Sequence, residues 1–133
     1  MDPWEEWWRI AQGSLIGAQI LEVEGESRSS ASRAYYASYQ GVTALLLYAR
    51  QIPPEGREAW GHDMTPELLE GLPNRILLPT KRYELAKRVS QLYQLRLDAD
   101  YHGGETLDKT ILRDAVRSAA FTLKALRPLF PGA

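Results

Sequence analysis

Cysteine is absent from the 133-residue chain. That excludes a disulfide framework and any thiolate metal site. Histidine occurs only as His62 and His102, which leaves little basis for a zinc site, so neither a metal nor another cofactor is expected. No apolar run approaches the roughly 20 residues that span a bilayer. The opening stretch, MDPWEEWW, is acidic and aromatic, unlike the basic start of a secretory signal. A soluble cytoplasmic protein with no membrane contact is the expectation. No segment alternates apolar and polar residues as a half-buried strand does.

What is present is helical spacing. Trp4, Trp8, Ala11, Leu15 and Ala18 recur on one face after the Asp2-Pro3 start, which suits an N-cap followed by proline in the first turn. A turn is expected over residues 24–30 and a second helix over about 30–50. The prolines of QIPPEG end that helix. A long connection, residues 51–80, follows, with a short capped helix at Thr65-Pro66-Glu67-Leu68-Leu69. The third long helix runs from about Thr80 to Tyr101 and stops at Gly103-Gly104. Thr106 is the expected cap of the fourth, which ends near Arg127 before Pro128. The expected fold is all-α: a single domain over residues 1–133, an antiparallel up-and-down four-helix bundle with the short extra helix between helices 2 and 3.

From Ala34 to Ala49 the only clearly polar side chains are Ser38, Gln40 and Thr43. A helix apolar nearly all round must be covered nearly all round. Either it is central or a second subunit covers it. Ala34, Ala37, Gly41 and Ala44 also form a small-residue strip open to close approach. A homodimer through this helix is the expectation.

Net charge is −1, but it is unevenly spread. Residues 1–26 carry six acids and one base, residues 27–50 three arginines and no acid, residues 81–133 ten bases and six acids. Such asymmetry allows a local basic surface for an anion or nucleic acid, and equally ordinary solvated helix faces.

The end of the third long helix reads LYQLRLDADYHGG, Leu92 to Gly104. At about 100° per residue, Leu85, Val89, Leu92, Tyr93 and Ala99 share an arc of about 120°. Arg96 falls near its middle, with Asp100 beside it. A guanidinium on an apolar face is costly unless paired, and residues four apart on a helix are neighbours. The pair reads either as a packing device or as the edge of a cleft in which Arg96 holds a phosphate through its planar fork. His102 lies about 120° from Arg96 on a continued helix, on the polar side. His62 and the tryptophans Trp4, Trp7 and Trp8 read as structural.

Two segments together resemble the HEPN domain family. SRAYYASYQGVTALLL, Ser32 to Leu47, is similar to the small-aromatic helix of one prokaryotic branch. RLDADYH, Arg96 to His102, is similar to that branch's Arg-x-x-Ala-Asp-Tyr signature, with Arg96, Ala99, Asp100 and Tyr101 in the matching places. The resemblance implies a bundle of four to five helices that commonly dimerises. It also implies one of two roles. One is a metal-independent endoribonuclease, often a toxin paired with a minimal nucleotidyltransferase antitoxin, with Arg96 and His102 catalytic. The other is a noncatalytic nucleotide-binding or nucleotidyltransferase-partner module. In both, Asp100 and Tyr101 would contact nucleotide or RNA. Tyr101 before the histidine and Leu97 after the arginine depart from the well-characterised toxin form, and a purely structural dimeric bundle stays open beside both roles.

Overall fold

A computed structural model describes residues 1–101 and 107–132. Among them the regular structure is all helical: α1 (Pro3–Val23), α2 (Ser27–Tyr48), α3 (Thr65–Glu70), α4 (Pro79–Tyr101) and α5 (Lys109–Leu126), followed by a single 3-10 turn. No helix of the described residues is long and apolar enough to cross a membrane.

Helix α1 starts where the sequence places it. Pro3 opens the first turn, and Glu5 reaches back to accept a hydrogen bond from the Asp2 backbone N–H at 3.2 Å. The turn after α1 is shorter than expected. Gly25, at a positive φ of 82°, lets the Glu26 N–H reach back to the Leu21 carbonyl at 2.9 Å. Helix α2 therefore begins three residues early, at Ser27 rather than Ser30. The cap of α5 also differs from expectation. Asp108 accepts from the Thr110 N–H at 2.7 Å. Thr106, expected as the cap, and Gly103-Gly104 lie outside the described residues.

Helix α2 is the centre of the molecule. It packs against α1, α3, α4 and α5. Ala34, Ala37, Ala44, Leu45 and Leu46 are wholly buried within the one chain. The expectation of a homodimer through α2 rested on an uncovered apolar surface, and that surface is covered by the chain's own helices. The small-residue strip serves this packing. A Cβ on Gly41 would stand 2.5 Å from Leu123 Cδ2, 3.3 Å from Leu126 Cδ1 and 3.6 Å from Trp8 Cζ3, so α5 meets α2 at closer range than a side chain allows, with Trp8 of α1 in ordinary contact beside it. Around this closure Trp4 stacks on Phe130 at 5.1 Å, and Trp8 lies 4.8 Å from the same ring. The tryptophans are packing groups, as their shared face suggests.

The long connection is held at several points. Tyr39 donates through its hydroxyl to the Trp60 carbonyl at 2.5 Å. Arg82 donates to Asn74 Oδ1 and to the Leu77 carbonyl, each at 2.7 Å, and to the Glu70 carbonyl at 3.0 Å. Thr65 and Leu69 of α3 are fully buried.

Candidate functional site at the end of the fourth helix

Helix α4 carries Arg96 and Asp100 one turn apart near its C-terminal end, against the part of α2 that holds Ser32 and Tyr36. The arginine side chain is only 13% exposed, the aspartate's 29%. Arg96 Nε lies 3.2 Å from Asp100 Oδ2, yet its N–H is not aimed at that oxygen and makes no hydrogen bond. The contact is coulombic and single, not the two-pronged grip that an arginine can make on a carboxylate. Asp100 Oδ2 accepts instead from the Ser32 hydroxyl, also at 3.2 Å. The terminal nitrogens of Arg96 have no hydrogen-bonding partner among the described residues.

Aromatic rings complete its surroundings. The Arg96 guanidinium carbon lies 5.2 Å from the Tyr36 ring centre and 5.7 Å from that of Tyr101, within cation–π range. Tyr101 is 68% exposed and covers the guanidinium from the solvent side. Arg96, Asp100 and Tyr101 are thus brought together, as their spacing implies. His102 lies outside the described residues.

Two further groups meet here that spacing within α4 does not reveal. Arg28 of α2 donates to the Ala99 carbonyl at 3.1 Å and approaches the Asp98 carbonyl at 3.5 Å. A cation on the last carbonyls of a helix is favourable, and this one pins the end of α4 to the start of α2. The second is His62. It stacks on Tyr93, 5.4 Å between centres and 4° between planes, and lies 4.5 Å from Tyr39. The buried Tyr35 hydroxyl hydrogen-bonds to His62 Nδ1. Burial first, then the Arg96 guanidinium, lowers the His62 pKa, while Asp63 opposes them. Neutral His62 therefore accepts from the tyrosine. Burial pushes the Tyr35 pKa far up, with Tyr39 and Tyr93 adding to it and Arg96 opposing; burial raises that of Tyr39 as well. Both phenols stay protonated donors. The reading of His62 as structural fits this place, though it sits one aromatic ring from Arg96: Tyr36 touches both.

Among the described residues no group of three acids or histidines could hold a metal ion. The polar chemistry of this end is cationic, aromatic and hydroxylic.

The model of the HEPN domain matches residues 4–128. The chain belongs to the HEPN family. The match extends from the first helix through the last, so the family covers the whole helical body described above. No curated protein matches the chain. Within this HEPN domain Arg96, Ala99, Asp100 and Tyr101 all lie in the last two turns of α4.

Proposed function

We propose that this HEPN domain binds RNA phosphate at the end of α4 and, with His102, cleaves the strand without a metal ion. It would thus be the ribonuclease of a toxin–antitoxin pair whose antitoxin is a minimal nucleotidyltransferase. The observation that carries the reading is the state of Arg96. It is held in place at low exposure by Asp100, Tyr36 and Tyr101, but its terminal donors are unspent. A guanidinium fixed in this way is set up to take two phosphate oxygens at once. A purely packing role would be better served by a buried, doubly hydrogen-bonded pair, and this pair is neither.

In the proposed reaction the RNA supplies the nucleophile, its 2′-hydroxyl. His102, separated from Arg96 by five residues, takes the hydroxyl proton or protonates the leaving oxygen. Arg96 stabilises the charge that builds on the phosphorane. Asp100 orients Arg96, and Tyr101 lies where a base can stack on it. In this reading the four long helices form an antiparallel up-and-down bundle, and two copies pair so that their α4 ends face one RNA.

The test is an assay of the purified protein on RNA with and without EDTA. Cleavage that survives EDTA and drops ~10²–10⁴-fold in His102→Ala, with melting unchanged, is the expected result. Equal cleavage by both proteins would remove His102 from the mechanism. RNA binding without cleavage by either would leave the noncatalytic nucleotide-binding partner role.

A further inference from the structure

Helix α2 is buried along most of its length, with one exception. Ser29, Ser32, Arg33, Tyr36 and Gln40 follow one another at helical spacing and open into a cleft of about 460 Å³ bounded by α1 and by Asp100 at the end of α4. That volume is within the range of small-ligand sites and exceeds what a phosphate ion fills. The lining is graded. Ser29 and Arg33, at the mouth, are exposed, while Tyr36 and Gln40, further in, are half-buried. The Arg33 stem lies across α1 at Gly17, 3.6 Å from where a Cβ there would stand. At the inner end the buried Ser14 hydroxyl donates to Gln40 Oε1 at 2.6 Å. The Gln40 amide is thereby oriented, and its N–H₂ has no partner among the described residues.

We propose that this cleft holds one nucleotide unit. The phosphate sits at the mouth, on the Arg33 guanidinium and the hydroxyl of Ser29. The base lies inward against Tyr36, with the Gln40 amide donating to an acceptor on its edge. Charge favours this direction: Arg33 and Arg96 set two positive charges against Asp100 alone, and Asp100 is already engaged by Ser32 and Arg96. An aromatic ring with an oriented amide suits a base edge, and an exposed arginine beside a serine hydroxyl suits phosphate. The unit is recognised whether it comes as a free nucleotide or as part of a strand. The cleft adjoins Arg96 through Tyr36, so the inference deepens the RNA reading above and rests on it.

The experiment is isothermal titration of the full chain with 5′-AMP, with inorganic phosphate and with a short oligouridylate. The proteins are wild type, Arg33→Gln, Gln40→Leu and Arg96→Lys, each checked for unchanged melting. Arg33→Gln is expected to weaken AMP or RNA tenfold or more, and Gln40→Leu to weaken them several-fold without changing phosphate binding. AMP binding by wild type identifies a free nucleotide as ligand. RNA binding alone, still weakened by Arg33→Gln, identifies the strand. RNA binding that Arg96→Lys weakens but Arg33→Gln and Gln40→Leu leave unchanged would overturn the cleft and spare the Arg96 reading. AMP bound no tighter than phosphate, with RNA indifferent to Arg33→Gln, would overturn it as well. No binding of AMP or RNA by the wild type would overturn both.

Discussion

The two halves of α2 are covered by opposite means, one closed and one left open on one side. Around Gly41 the helix meets α5 through hydrocarbon, at a distance set by the absence of one side chain, and the Trp8 ring of α1 lies beside it. Around Tyr36 it meets α4 through rings, hydroxyls and guanidinium groups, with an open cleft on one side. The first half can gain stability from close packing and has no chemistry to offer. The second holds a cation at low exposure in a contact too imperfect to be there for stability alone. One helix thus supplies both the rigid centre and the wall of the site, so the site is built on a regular element and not on a loop.

If the first half is closed packing, enlarging Gly41 should do the greatest damage. Gly41→Val drives carbon into Leu123 and Leu126, which are themselves buried. The expected cost is about 3 kcal/mol, read as a fall in melting temperature on the order of 10 °C. A variant as stable as wild type would show that α5 can move away, and would blur the contrast between the halves.

Arg96→Ala sharpens the other side. It leaves Asp100 without its cation, but Asp100 keeps Ser32 and some water. The cost should be about 1–2 kcal/mol, less than the ~3–5 kcal/mol of breaking a fully buried pair. Denaturant unfolding would measure it, and a loss as large as that of Gly41→Val would make Arg96 a packing residue.

Tyr35→Phe removes the donor to His62 and leaves the imidazole nitrogen half-buried without that bond. About 1 kcal/mol of stability should go. The smallest effect concerns pH. The folded His62 pKa lies below the unfolded value of about 6.5. The unfolded chain then binds more protons, so stability is full above the unfolded pKa and declines as pH falls from about 7 toward the folded pKa. Melting temperatures of wild type and His62→Phe between pH 7 and 5 should converge or diverge accordingly: the decline is steeper in wild type. Parallel curves would mean that burial and Arg96 together do not lower the His62 pKa.

Much of the fold was legible in the sequence because helix spacing and punctuation are local. The wheel placed Arg96 and Asp100 together for the same reason, since a four-residue interval is a contact within one helix. The coverage of α2 was legible only as a requirement. Composition says that the helix must be surrounded and not by whom, and the chain's own α1, α4 and α5 do the surrounding. In the sequence Arg28 stands out only as part of an acid-free stretch, and Ser32 only there and in the family-like segment. Their meeting with the end of α4 spans about seventy residues of sequence, and no local pattern reports such a contact. Their helical interval with Tyr36 and Gln40 was the signal available. The proximity of His62 to Arg96 through Tyr36 depends on how the long connection folds back, which no local pattern reports.

The central claim is that the polar half of α2 and the end of α4 serve to bind phosphate. Fluorescence anisotropy of a labelled single-stranded RNA, titrated with wild type and with Arg96→Lys over a range of salt, tests it most directly. The account predicts wild-type binding that weakens as salt rises. It also predicts a tenfold or greater loss in Arg96→Lys, because lysine keeps the charge but not the fork. Equal affinity of the two proteins for RNA, with both fully folded, would contradict it.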